Sequence, residues 1–453
     1  MNKYRLKEQV EIIRQAFGYI NKFQGETFVI KIDSNLISGQ FFPVLIKDLV
    51  LLHQMGIRIV IVPGTRSRID EVLKTYNIQC RFVDGIRISP PESIPFIKMA
   101  AFDVSNKVMT LLAECGAHAV IGNWVRARSI GVRNGIDFQS SGLVERLQTD
   151  ILENVLTDGL FPIFPNIGWS AKGKPYNLSS NELAGTIAVA LKASKLFFLT
   201  NRQHIQKEYF TMPKGIYCDS SGTITQLTLP DAEWLLEHNQ DKSDSERYDL
   251  IHLAHKACSE GVKRVHIVDG SVEGMVLKEI FSNRGLGTMV YSNQHENIRS
   301  ITHSDIPEIL RLMQPAIEEG ILIPRTTAEL EEKAEDFYVY EVDGTIHGCG
   351  ALHTFSDHQA ELAAIVVDEI YANLGIGKKI ISYLVERASQ LRLKAVFVLT
   401  TQTSDWFSQL GFGEAAVSDL PKERQKNYDK QRNSLILRYQ LPQHRSKLSS
   451  KVE

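Results

Sequence analysis

Two glycines and two lysines stand together in Gly375-Ile376-Gly377-Lys378-Lys379. They follow an apolar run, Leu362 to Val367, and precede Ile380, Ile381, Leu384, Val385 and Ala388 at helical spacing. The run is short and rich in β-branched residues, so the stretch reads as buried strand, glycine-bearing turn and helix. At such a helix start the first backbone N–H groups lack partners, the helix dipole favours negative charge, and glycines let an anion come close. A pyrophosphate is the natural guest. On these residues alone a plain helix start fits equally well, so the surrounding elements must decide.

Stepping outward along the chain, TFVIKI (27–32), RIVIVPG (58–64), FPIFPN (161–166), KLFFLT (195–200) and RVHIVDG (264–270) read as strands. Between them, Leu45–Met55, Glu92–Cys115, Asn181–Ala193, Tyr248–Ser259 and Met275–Phe281 read as helices. Ser179 and Glu182 have the spacing of a capping box ahead of the third of these. Continuous apolar strands alternating with helices predict an α/β domain with a mostly parallel sheet covered on both faces. It is expected to span 1–291, opening with an amphipathic helix at 4–20 that carries Leu6, Val10, Ile13 and Phe17 on one face. The polar stretch 292–297 reads as a linker. From 298 to 445 the pattern is α+β: a helix at 305–314, two strands joined at Asp343-Gly344, the glycine turn, VFVLTT, a short helix around Trp406, and a closing strand SLILRYQL. Residues 446–453 form a tail.

Composition bounds the function. At 453 residues two or three domains are expected. With 51 basic and 53 acidic residues and a net charge of −2, there is no bulk electrostatic case for nucleic acid or membrane surfaces. The N-terminal stretch has no apolar signal core, so a cytoplasmic protein is expected. The five cysteines (80, 115, 218, 258, 349) are far apart and lack CxxC spacing, which predicts reduced thiols and no zinc site of that kind; no metal and no permanently bound cofactor are expected.

The order helix, hairpin, strand, glycine turn, helix and strand resembles the acyl-CoA-dependent GNAT acetyltransferases, whose glycine turn binds the CoA pyrophosphate. The usual Gln/Arg-x-x-Gly-x-Gly/Ala signature appears as Ala372-Asn373-Leu374-Gly375-Ile376-Gly377, with alanine in the first position. Read together with an N-terminal domain resembling amino-acid kinases, the chain is similar to the amino-acid N-acetyltransferases of bacterial arginine biosynthesis. The likeness runs through FVIKI, LLHQMGIRIVIVPGTRSRID, FSNRGLGTM, ILIPRTTAELE, ELAAIVV, FVLTTQTSDWFSQLGF and QRNSLIL, in that order.

The resemblance implies a set of roles. Acetyl-CoA is the co-substrate, L-glutamate the acceptor and N-acetyl-L-glutamate the product. Glu361 becomes the general base that removes a proton from the ammonium group. Backbone N–H groups of Ile365, Val366 and Val367 become oxyanion donors. Thr400 becomes a hydrogen-bond donor to the departing thiolate, with Tyr428 as the alternative. Ala372, Gly375, Ile376, Gly377 and Lys378 hold the pyrophosphate, and Arg325, Arg432 and Ser434 hold the two carboxylates of glutamate. The kinase-like domain keeps Lys31, but Asp33 follows where a glycine pair is needed, and Pro63-Gly64-Thr65-Arg66 has one glycine. It is therefore expected to be catalytically silent, to bind L-arginine as a feedback effector through Tyr19, Glu279 and Gly287, and to assemble a homo-oligomer, a hexamer being one form the resemblance admits. Two other readings stay open: an acetyltransferase for another amino acid, and a noncatalytic amino-acid sensor.

Overall fold

The computed structural model describes residues 23–201, 205–213, 216, 218–219, 221–243, 245–281, 287–292, 296–342, 345–368, 375–429 and 431–442. The expected helix at 4–20, the Asp343-Gly344 turn and the tail at 446–453 lie outside the described residues. The chain divides into two compact units, Met1–Asn293 and Gln294–Glu453.

In the first unit, eight strands form the main sheet: β1 (Thr27–Ile32), β2 (Arg58–Pro63), β3 (Ala119–Ile121), β4 (Phe161–Ile163), β5 (Lys195–Thr200), β6 (Gln226–Thr228), β7 (Arg264–Asp269) and β8 (Thr288–Tyr291). Their order is β6-β8-β7-β5-β1-β2-β4-β3, and every pairing is parallel except β7 with β8. β1 and β5 are buried at every residue, because both faces are covered and no position is left for a solvated side chain. Alternate residues serve the two faces. Val29, Val60, Val62, Leu196 and Phe198 meet one helical layer, whereas Phe28, Ile30, Ile59, Ile61 and Phe197 meet the other. The first layer contains α3 (Ser180–Ala190) and α4 (Glu246–Ser259); the second contains α1 (Phe42–Gln54), α2 (Ile94–Glu114) and α5 (Met275–Phe281). Ser179 caps α3, its hydroxyl accepting from the Glu182 N–H at 3.4 Å. A separate four-stranded sheet, ordered Pro175–Asn177, Ile167–Trp169, Val125–Ser129 and Gly142–Leu147, was not expected from the sequence.

The second unit is a seven-stranded sheet built from β9 (Glu296–Ser300), β10 (Phe337–Val342), β11 (Thr345–Thr354), β12 (Gln359–Val367), β13 (Ala395–Thr400), β14 (Gly413–Ala415) and β15 (Leu435–Gln440), in the order β9-β10-β11-β12-β13-β15-β14. The expected linker at 292–297 is too long. Glu296 and Asn297 already pair with Val342 and Glu341 of β10, since backbone hydrogen bonds are indifferent to polar side chains on a strand edge. Two helices cover opposite faces: α6 (Ile306–Glu318) over Val339, Cys349 and Ala351, and α7 (Ile376–Gln390) over Tyr338, Leu352 and Leu362. Glycine makes the second packing possible. A Cβ at Gly348 or Gly350 would stand 2.8 or 2.9 Å from Ile380 of α7.

Candidate active site

The ladder between β12 and β13 stops at the Glu361–Phe397 pair, although β12 continues to Val367 and β13 to Thr400. Beyond that pair the strands part. Ala364 has φ +52°, and the register of β12 against β11 shifts near Cys349 and Ala351, the marks of a bulge that bends a strand. Ile365, Val366 and Val367 lie in the diverging stretch, past the reach of the β13 ladder. A wedge between parallel strands leaves every second backbone N–H along it without its ladder partner, which suits an extended amide-bearing ligand.

Glu361 sits at the mouth of the wedge, 9% exposed. Both of its oxygens are occupied. Arg424 donates from Nε to Oε2 at 2.6 Å and from Nη2 to Oε1 at 3.2 Å, a side-on fork with good charge-assisted geometry. Arg424 belongs to a five-residue helix, Lys422–Lys426, in the segment between β14 and β15. A second guanidinium, Arg325, lies over the Phe337 ring at 5.1 Å. Burial pulls its pKa below the ordinary arginine range, and the charge of Glu361 acts in the opposite direction.

The other expected groups have partners of their own. The Thr400 hydroxyl, 9% exposed, accepts from the Thr403 N–H at 3.0 Å and lies 2.8 Å from the Thr403 hydroxyl, so it closes the turn that follows β13. Tyr428 donates its proton to the Ser434 carbonyl at 2.8 Å, which leaves it poorly placed to give that proton elsewhere. Arg432 donates through Nη2 to the carbonyls of Gly320 and Ile321, tying it to the loop that leads to Arg325. Ser434 is buried just ahead of β15.

At the glycine turn, Gly375 is the N-cap of α7 with φ +70°, and Lys378 is exposed in the first turn. Gly377 has a different reason for being small. A Cβ there would meet the Trp406 ring at 3.1 and 3.2 Å, so packing of an indole also favours glycine at this position. Ile376 is a core residue, 3% exposed; only its N–H faces the helix start. Ala372 lies outside the described residues.

In the first unit, Glu279 and Gly287 come together as expected, while Tyr19 lies outside the described residues. Glu279 is 3% exposed, accepting from the Gly287 N–H at 3.2 Å and lying 2.8 Å from Nδ1 of His266. Burial first, and the Lys195 charge second, push His266 down to about 4 against the bond to Glu279. The histidine is then neutral at neutral pH. Elsewhere, a cavity of about 340 Å³ opens at the C-terminal ends of β1 and β2, lined by Lys31, Asp33, Gly64, Thr65, Asn166 and Asp249 among others. Lys31 is buried, its Nζ 3.7 Å from Asp33, and burial lowers its pKa. The single glycine of the second turn is structural: a Cβ at Gly64 would stand 2.7 Å from the Ser34 nitrogen.

Arg424 escaped the sequence reading. Nothing in PKERQKN distinguishes it from a solvated helix charge, and its partner is 63 residues away. Among the described residues no cluster of three or more His, Cys, Asp or Glu side chains could hold a metal ion, and no helix is long and apolar enough to cross a membrane.

Comparison with known proteins adds two family matches: the Amino acid kinase family over residues 26–269 and the Acetyltransferase (GNAT) family over residues 305–412. An amino-acid acetyltransferase of Pasteurella multocida (strain Pm70) is 34% identical over 96% of this chain and 98% of its own length. The crystal structure of N-acetylglutamate synthase from Neisseria gonorrhoeae complexed with coenzyme A and L-arginine matches with TM-score 0.80 at 31% identity, covering 95% of this chain and 99% of that one. A second structure of the gonococcal enzyme, complexed with coenzyme A and N-acetyl-glutamate, matches with TM-score 0.59 at 32% identity over 96% of this chain and 99% of that one.

Proposed function

Because the chain belongs to the amino-acid acetyltransferase family, an amino acid kinase unit followed by a GNAT unit, we propose that it transfers acetyl from acetyl-CoA to the α-amino group of L-glutamate. The products are N-acetyl-L-glutamate and CoA. The observation that carries this reading is the buried carboxylate of Glu361 at the point where β12 and β13 part, with the Arg325 guanidinium beside it. The gonococcal relatives bind coenzyme A together with N-acetyl-glutamate or L-arginine, which fits the same substrate class and an effector.

In this reaction Glu361 takes a proton from the substrate ammonium. The neutral amine then attacks the thioester carbon, whose oxygen turns negative toward the N–H groups of Ile365–Val367. As the C–S bond breaks, the thiolate accepts a hydrogen bond from Thr400 and takes the second amine proton. Arg325 on one side, and Arg432 with Ser434 on the other, neutralise the two carboxylates of glutamate, which cannot be held in a dry site without such donors. The anionic pyrophosphate rests at the start of α7, near Gly375 and Lys378.

The first unit performs no phosphoryl transfer. Asp33 beside Lys31 repels a phosphate, and the unit instead binds L-arginine at Glu279, a buried carboxylate whose histidine neighbour is uncharged. Through that unit the protein is feedback-regulated and assembles as a homo-oligomer in the cytoplasm, in the first step of arginine biosynthesis.

Release of CoA thiol across a panel of amino acids tests the reading. Selective release with L-glutamate is expected, and Glu361→Gln should lower kcat by about 10²–10⁴-fold, the usual worth of a positioned base. Selectivity for a different amine, no release at all, or full turnover by the Glu361→Gln enzyme each rejects it.

A further inference from the structure

The geometry points to Arg424 as a latch on Glu361 that a substrate carboxylate releases; this rests on the reading of Glu361 as the base. A general base must present a lone pair to the proton it removes. Here each carboxylate oxygen accepts one guanidinium N–H, from Nε at 2.6 Å and Nη2 at 3.2 Å, so the fork takes the two facing lone pairs and leaves one on each oxygen, beside a positive charge. The pair is well shielded, with the two side chains 19% and 12% exposed, so water does little to loosen it. In this arrangement an ammonium group arriving at Glu361 meets a carboxylate whose charge is already matched by a guanidinium.

The latch can open because of what Arg424 has left over. A guanidinium has five N–H donors. Two serve Glu361, and one on Nη1 serves the Asn427 carbonyl at 2.9 Å, which leaves one donor on each terminal nitrogen. Two donors on adjacent nitrogens of one planar group match the two oxygens of a second carboxylate. The local charge favours the same visitor. Glu361 has two guanidiniums acting on it, Arg424 by hydrogen bond and Arg325 through its charge, so the three together carry an excess positive charge. Arg325 makes no hydrogen bond among the described residues; its contact is the Phe337 ring.

A substrate that brings a carboxylate supplies the missing negative charge. It draws Arg424 toward itself, one carboxylate partner is exchanged for another of equal chemistry, and an oxygen of Glu361 is freed for the ammonium proton. The anchorage of Arg424 suits such a shift, since it stands on a helix of five residues behind Pro421 and outside the sheet. The consequence is selectivity in the chemical step. Amines lacking the carboxylate bind without unlocking the base, a form of induced fit.

The experiment compares the full-length enzyme with Arg424→Gln and Arg424→Lys, using L-glutamate and two truncated probes, L-norvaline without the side-chain carboxylate and 4-aminobutyrate without the α-carboxylate. Arg424→Gln should raise the KM for glutamate about tenfold or more, in line with loss of a charge-assisted bond. It should also increase kcat, about fivefold or more, for whichever probe lacks the releasing carboxylate, because its base is no longer capped. Arg424→Lys, which keeps the charge without the fork, should fall between, and thermal unfolding of both variants establishes that they fold. A kcat that falls in parallel for glutamate and both probes, or stays unchanged for all three, overturns the latch and leaves Arg424 structural. Absence of glutamate turnover in the unmodified enzyme is a separate outcome: it removes the proposed function and the latch with it.

Discussion

Replacing Gly375 by Ala isolates the backbone conformation on which the proposed pyrophosphate site depends. Gly375 caps α7 at φ +70°, ψ 12°, in the left-handed region. A Cβ there meets nothing within 4 Å among the described residues, so the cost worked from them is the intrinsic one, about 1–2 kcal/mol for an L side chain. That free energy can emerge in two ways. If the turn keeps its shape, the second unit loses stability, and a domain of this size should melt about 2–8 °C lower. If the residue leaves the left-handed region, the first N–H groups of α7 no longer converge, and the KM for acetyl-CoA should rise by up to about 5–30-fold. Calorimetry and KM together therefore capture the penalty whichever way it divides. Asparagine enters the left-handed region more readily than alanine, so Gly375→Asn should recover most of the loss. A Gly375→Ala enzyme with unchanged melting and unchanged KM would refute the reasoning, and so would a Gly375→Asn enzyme that performs worse than the Gly375→Ala one.

The buried pair of the first unit gives two further tests. With His266 held at about 4 in the fold against an ordinary 6.5, the unfolded chain takes up the proton first as pH falls. Stability is then complete above about pH 6.5 and declines toward pH 4, by roughly 3 kcal/mol at most. Urea unfolding at stepped pH should give that slope in the wild type and a flatter one in His266→Gln; parallel slopes would count against it. Replacing Glu279 by Gln should weaken L-arginine binding by about 10–100-fold in isothermal calorimetry, the range for losing a charged hydrogen-bond partner, and unchanged binding would reject Glu279 as the effector's carboxylate.

The main sheets were readable because burial on both faces forces a composition. TFVIKI and KLFFLT allow no polar side except the residues that function or pack, and both are buried throughout. Met275–Phe281 falls on the observed helix, and the Ser179 cap forms as its spacing predicts. The four-stranded sheet of the first unit gave no such signal. Two of its strands have three residues each, and VRARS alternates imperfectly between buried and open positions. Neither a strand period nor an apolar run survives in so few residues. The last two residues of the expected linker were misread for a related reason, since Glu296 and Asn297 are joined to β10 by backbone bonds that leave no trace in side-chain type.

The site divides along the same line between local and long-range causes. Gly375 and Gly377 are visible because a helix start is a local object, yet the sequence does not say that they are small for different reasons. One reason is a dihedral angle; the other is the ring of Trp406, beyond the end of α7 and across β13. Glu361 is visible as a polar residue at the edge of an apolar strand, but its hydrogen bonds come from a guanidinium delivered by a distant short helix. A carboxylate flanked by two arginines and one without them are the same letter in the sequence. What separates them is the fold, which ends the β12–β13 ladder at Glu361 and brings the Arg424 fork and the charge of Arg325 to act on it. The bulge at Ala364 is thus the feature with the widest reach. By turning β12 aside it creates the wedge in which the proposed reaction places the thioester and, next to it, the charged corner that holds Glu361.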